Sequence, residues 1–185
     1  MTGFVGVIFS DQQEVNGRQE QMIKEMTSAI SQCNPQKEVY YFDEYFYCGS
    51  CGKDELLTFE NERYWICLYG KIYNHLELRQ QLIDKNQLFS TNLEAETILA
   101  LYCELKEEVV QKLRGSFGFV IWDKQERKLF GVRDPFGIKP FYYLELGDVT
   151  YFSSEKKCLV LIDGLKIDMA YVQHYFSFQY VHGPR

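Results

Sequence analysis

The run Ser116-Phe117-Gly118-Phe119-Val120-Ile121-Trp122, with Lys128-Leu129-Phe130-Gly131-Val132 after it, decides how this chain folds. Both runs are rich in aromatic and β-branched residues, which fit a pleated, half-buried surface. The interval between them, Asp123-Lys124-Gln125-Glu126-Arg127, is wholly polar and reads as a turn joining two antiparallel strands. A second pair of the same kind follows, with Phe141 to Glu145 and Thr150 to Ser153 flanking Leu146-Gly147-Asp148. Hairpins of this sort predict a sheet whose pairing is antiparallel.

Working outward, Thr2 to Phe9 carries the apolar run Phe4-Val5-Gly6-Val7-Ile8-Phe9 and reads as a strand buried on both faces. Arg18 to Gln32 places Met22, Ile23, Met26, Ala29 and Ile30 at helical spacing, an amphipathic helix over a sheet. Cys33-Asn34-Pro35 stops it, because a residue before proline avoids the helical region. Glu38 to Cys48 is strand-like with a hairpin signal at Asp43-Glu44, and Arg63 to Tyr69 is a further strand. Asn74 to Asn86 predicts a helix capped by Asn74, with Leu76, Leu78 and Leu82 facing inward. Glu94 to Leu113 reads as one or two helices, and Glu155 to Leu161 and Met169 to Phe178 as two more. No repeat, low-complexity stretch or linker interrupts the series. The expected class is α+β with mainly antiparallel strands, two layers of sheet flanked by helices.

Composition narrows the function. A chain of 185 residues suits one compact domain. Its 26 acidic residues outnumber 20 basic ones, whereas a general nucleic-acid binder shows a basic excess or stripe. The N-terminal apolar run is far short of the roughly 20 residues that span a bilayer, and it lacks the basic leader of a signal peptide. Six cysteines without any Asn-x-Ser/Thr sequon are expected to sit reduced in a cytoplasmic protein. The expectation is therefore no nucleic acid and no membrane.

Few motifs carry chemistry by themselves. Cys48-Gly49-Ser50-Cys51 could be a redox pair or half of a zinc site, but no second pair exists and the other cysteines are scattered, so no metal is assigned. His75, His174 and His182 lie in three separate contexts, where surface or capping roles suit them. Gly115-Ser116-Phe117-Gly118 lacks the Lys-Ser/Thr of a phosphate loop and leads into a strand. Arg133-Asp134-Pro135-Phe136-Gly137-Ile138-Lys139-Pro140 reads as a structural turn, with Arg133 and Asp134 offering an ion pair or backbone anchors.

Together, however, these segments form a pattern. Leu113 to Asp123, Leu129 to Tyr143, Ile72-Tyr73-Asn74-His75-Leu76-Glu77-Leu78-Arg79, Tyr151 to Lys157, Ser177 to Arg185 and Gly3 to Ile8 resemble the glutaminase domain of asparagine synthetase. That family belongs to the class II glutamine amidotransferases. The resemblance covers nearly the whole chain and implies an N-terminal-nucleophile fold, a four-layer αββα sandwich. It implies a glutaminase-like domain over 1–176, with 177–185 opening the connection to a synthetase domain that lies outside this chain. ATP and magnesium would belong to that synthetase domain, and no cofactor to this one. The partner implied is an ATP-dependent synthetase domain, in the same polypeptide or a separate chain, with a homodimer left open.

The departures from the family fall where its chemistry is done. The resemblance implies a cysteine at position 2, exposed by removal of Met1, whose α-amine is its base; here position 2 is Thr2. Threonine serves this way in other hydrolases when its amine is free, but with Met1 retained Thr2 is expected to be inert. The family's Asn-Gly-Glu, which supplies the oxyanion hole, is replaced by Tyr69-Gly70-Lys71. Loss of one oxyanion donor typically costs on the order of a hundredfold in rate. Lys71 also reverses the charge at the Glu position of the glutamine pocket. The Arg-Gly-Pro-Asp after the first helix becomes Cys33-Asn34-Pro35-Gln36, and the loop that holds the glutamine carboxylate has no counterpart in Cys48 to Leu56. The acid that the resemblance places on the glutamine amine is kept as Glu94, one methylene longer. The expectation is a pseudo-glutaminase with a structural or docking role. Its rivals are an active N-terminal-threonine glutaminase, in cells that remove Met1, and a small-ligand or metal binding module.

Overall fold

The computed structural model describes residues 3–12, 17–31, 37–52, 58–162 and 169–179. Two antiparallel sheets form its centre. The first has the order β2 (Lys37–Phe42), β3 (Phe46–Gly52), β1 (Gly3–Phe9), β9 (Val149–Ser153), β8 (Tyr142–Leu146). The second has the order β4 (Thr58–Glu60), β5 (Tyr64–Ile72), β6 (Gly115–Asp123), β7 (Lys128–Arg133). Helix α1 (Gly17–Ser31) and the short α4 (Lys156–Leu159) cover the first sheet; α2 (His75–Ile83) and α3 (Glu94–Leu105) cover the second. A 3₁₀ segment, Lys106–Gln111, continues α3, and α5 (Met169–Phe178) closes the described chain.

Strand alternation builds the layers. In β1, Val5, Val7 and Phe9 meet Ile23, Met26, Ala29 and Ile30 of α1, while Phe4 points the other way, toward the second sheet. In β5, Tyr64, Ile66, Leu68 and Ile72 meet Leu78, Leu82, Ile98 and Leu99 of the helices, while Trp65, Cys67 and Tyr69 face the first sheet. Both strands are therefore apolar on both faces, which is why they read as continuous apolar runs. Between the sheets Phe46 stacks on Trp122 at 4.8 Å between ring centres and on Phe152 at 5.9 Å. The indole N–H of Trp122 donates to Asp43 Oδ2 at 2.6 Å, and Asp43 Oδ1 accepts the N–H groups of Tyr45 and Phe46. One carboxylate thus closes the β2–β3 turn and fastens it to the opposite sheet.

Some local expectations change. Leu76 is 74% exposed, so only Leu78 and Leu82 carry the buried face of α2. Asn74 does not cap that helix with its side chain; its Nδ2 donates to the Lys112 carbonyl and its Oδ1 accepts the Arg114 N–H. It ties the start of α2 to the chain entering β6. Strand β4 is a three-residue edge too short to show a period in sequence. Cys103 lies on the exposed side of α3, unlike Cys67 and Cys158, which are buried. Residue 176, the expected end of the domain, falls inside α5, a helix with no buried residue. No helix among the described residues is long and apolar enough to cross a membrane.

Candidate functional site

The positions singled out by sequence cluster where β5 ends. Gly70 has φ of +105°, a conformation side-chain-bearing residues rarely adopt, and a Cβ there would collide with the Ser116 carbonyl oxygen of β6. Glycine is thus obligatory, and it sits between two side chains that leave the strand in different surroundings.

Tyr69 turns into the layer between the sheets, its ring edge-to-face with Phe4 at 5.5 Å. Its hydroxyl donates to the Pro140 carbonyl at 2.8 Å. Burial pushes the phenol well above its usual range, against the pull of Arg133, so it stays protonated and able to donate. Beside Tyr69 opens a cleft of about 440 Å³, lined by Ile138, Lys139, Pro140, Ser154 and Glu155 among others. Ser154 Oγ accepts the Phe4 N–H at 3.0 Å, so the cleft adjoins the start of β1.

Lys71 reaches the start of α3. Its side chain is 67% exposed, yet its Nζ lies 2.5 Å from Glu94 Oε1, a carboxylate only 14% exposed. The second oxygen of Glu94 accepts the Ile72 N–H at 2.9 Å. Glu94 is the first residue of α3, where the helix dipole favours an anion. His75 opens α2 in the same neighbourhood; its Nε2 is buried with no hydrogen-bond partner among the described residues. Burial lowers the pKa of the imidazole, Glu94 opposes that effect, and Arg79 and Lys71 add to it.

Behind this cluster stands a lock. Glu96 accepts hydrogen bonds from both the N–H and hydroxyl groups of Ser90 and Thr91. Burial pushes this carboxyl up, but those bonds outweigh it and hold the group below its usual range. Arg79 lies 3.9 Å from Glu96 and stacks over the Phe89 ring. This network fixes the N-terminus of α3, and so Glu94.

The proline-rich turn is also resolved. Asp134 is buried and accepts three backbone N–H groups, from Phe136, Ile138 and Lys139. Arg133 donates to the carbonyls of Gly137 and Lys139. Of the two roles open to this pair, backbone anchoring is the one realised. The turn holds Phe136 outward, 87% exposed.

The structure brings Tyr69, Gly70, Lys71 and Glu94 together. Thr2 lies outside the described residues, as do 32–36 and most of the connection after Cys51. Cys48 faces the intersheet layer and Cys51 faces α1, because residues three apart on a strand point to opposite sides. They cannot share a ligand. Burial pushes the Cys51 thiol up to about 11 and that of Cys48 well above its usual value, the opposite of a reactive thiolate. Local pattern could not reveal the Tyr69–Pro140 and Lys71–Glu94 contacts, since their partners are 71 and 23 residues apart in the chain.

A family model described as a glutamine amidotransferase domain matches residues 1–185. The chain belongs to this family. A glutamine-hydrolysing asparagine synthetase 1 of Bacillus subtilis is 40% identical over 193 residues, covering 100% of this chain and 30% of the relative. A putative glutamine-hydrolysing asparagine synthetase of Mycobacterium bovis is 43% identical over 129 residues, covering 66% of this chain and 20% of the relative. The chain thus spans less than a third of the length of these curated relatives. Among solved structures, a glutamine phosphoribosylpyrophosphate amidotransferase from B. subtilis superposes with a TM-score of 0.68 at 16% identity, over 86% of this chain and 43% of that one. That likeness is one of fold. The amidotransferase domain described here is an α+β sandwich of the N-terminal-nucleophile type, and its resemblance to asparagine synthetases holds over its whole length.

Proposed function

We propose that this amidotransferase domain keeps the glutaminase fold without glutamine hydrolysis and acts as a docking element for an ATP-dependent amide-forming domain. Tyr69 carries the proposal. It stands where the resemblance calls for an oxyanion-donating asparagine, but its one hydroxyl hydrogen is committed to the Pro140 carbonyl. Its ring packs edge-to-face on Phe4 between the sheets and is buried. Gly70 remains, yet an oxyanion hole short of one donor loses roughly a hundredfold or more in rate. Thr2 in place of cysteine at the nucleophile position points the same way.

The docking role draws on the size of the relatives, of which this chain spans 30% in the B. subtilis case. It also draws on the rigid turn that displays Phe136 and Ile138 to solvent. We assign 1–176 to the glutaminase-like unit and 177–185 to the connection, with the partner domain in the same polypeptide or in a separate chain. ATP and magnesium chemistry would reside in that partner, and the assembly would work in the cytoplasm.

The test is glutamate release from L-glutamine by the purified chain, beside its Thr2→Ala variant, with the N-terminus established by mass spectrometry. The expected result is equal, background release from both. Release that Thr2→Ala abolishes would overturn the proposal.

A further inference from the structure

The 440 Å³ cleft beside Tyr69 takes two cations from two separate parts of the chain. Lys139 enters it from the β7–β8 turn and Lys156 from the start of α4. Neither ammonium makes an ion pair among the described residues. Glu155, the acid on the lining, is already engaged, its Oε2 lying 3.1 Å from Lys157 Nζ. Positive charge therefore gathers here in a chain whose formal net charge is -6.

Both lysines are presented by pinned backbone. The Lys139 N–H donates to Asp134 Oδ2 at 2.9 Å, and its carbonyl accepts the Arg133 Nε–H at 3.0 Å. Its ammonium lies 5.3 Å from the centre of the Tyr69 ring. Just before Lys156, the Glu155 N–H donates to Ser153 Oγ at 3.0 Å, and the buried Ser154 hydroxyl meets both the N–H and the carbonyl of Phe4. Ile138, Pro140 and Tyr142 add apolar wall, and the volume falls within the roughly 300–1,000 Å³ of small-molecule sites.

We infer that this cleft binds a small organic dianion with an apolar body, a phosphate monoester or a dicarboxylate, through Lys139 and Lys156. The inference goes beyond the docking role and stands whether or not glutamine is hydrolysed, because neither lysine enters that argument. Two unpaired ammoniums match two negative charges, and each acts as a point charge toward anionic oxygens. Backbone fixed in advance leaves only the lysine side chains to be ordered on binding.

The experiment is calorimetric titration of phenyl phosphate and of glutarate into the purified chain at about pH 8, where the phosphate ester is doubly charged. Phenol serves as the neutral control, and amide shifts in NMR spectra locate the site. At least one dianion is expected to bind saturably, with a Kd of roughly millimolar or tighter, and to shift the amides of Lys139, Tyr142 and Lys156. Binding by phenyl phosphate alone assigns a phosphoryl ligand, and binding by glutarate alone a dicarboxylate. Lys139→Met and Lys156→Met should each weaken it about tenfold, and added salt should weaken it further. Lys139→Gln and Lys156→Gln stand in should a methionine variant misfold. No saturable binding of either dianion up to about 10 mM, affinity within about twofold of wild type in the variants at both lysines, or equal binding of phenol would each overturn the inference.

Discussion

Replacing Asp134 by alanine removes a single carboxylate from beneath the Arg133–Pro140 turn. Its two oxygens accept the N–H groups of Phe136 at 3.1 Å, Ile138 at 3.0 Å and Lys139 at 2.9 Å. Each donor left without an acceptor costs about 1–3 kcal/mol if it stays dry. The turn lies at the surface, with Phe136 and Ile138 exposed, so water recovers part of that loss. A net cost of about 2–4 kcal/mol follows. A domain of this size loses roughly 2–4 °C per kcal/mol, so the melting temperature should fall by about 5–15 °C. Asp134→Asn retains one acceptor oxygen and should lose about half as much.

The pH dependence supplies an independent check. Burial pushes the Asp134 carboxyl up, but the N–H groups of Lys139, Ile138 and Phe136 prevail and hold it below its ordinary value of 3.8. The folded protein therefore binds this proton more weakly than the unfolded chain. Its contribution is fully present above the ordinary value and is lost as pH falls through the lower, folded one. The difference between wild type and Asp134→Asn should shrink on acidification below about pH 4. Thermal unfolding followed by circular dichroism measures both quantities. An Asp134→Ala melting temperature within about 1 °C of wild type, or a gap that widens in acid, would refute the reasoning.

Gly70→Ala forces a side chain into φ of +105° against the Ser116 carbonyl and should cost about 2–4 kcal/mol, read as a lowered urea midpoint. Tyr69→Phe keeps the ring but leaves the Pro140 carbonyl without its donor, a loss of about 1–2 kcal/mol in the same measurement; an unchanged midpoint would mean the hydroxyl is not committed there. Phe136→Ser touches an exposed side chain and should move stability by no more than about 0.5 kcal/mol. If the turn docks a synthetase domain, the same change should weaken co-purification with that domain.

Much of the architecture is written in local pattern. The hairpin around Asp123–Arg127 and the apolar run of β1 declare themselves because strand period and turn polarity are properties of neighbouring residues. Helix α1 does so through its 3.6-residue spacing. Leu76 and Asn74 show the limit of such reasoning. Their spacing suits a buried face and a cap, but whether a helix face is covered depends on what packs against it, and Asn74 finds better partners at Lys112 and Arg114. The Cys48–Cys51 spacing shows it again, since a motif that could chelate in a turn is split across two faces once it lies in β3.

The sequence by itself determined the layered α+β class, the resemblance that fixes the family, and the altered residues at Thr2, Tyr69, Lys71 and Glu94. It did so because those conclusions depend on residue identity and on neighbours a few positions apart. Only the tertiary structure decided what the altered residues do. The Tyr69 hydroxyl meets Pro140, and the Lys71 ammonium meets Glu94. These contacts span β5, α3 and the β7–β8 turn, segments that come together only when two sheets stack and close the layers around them.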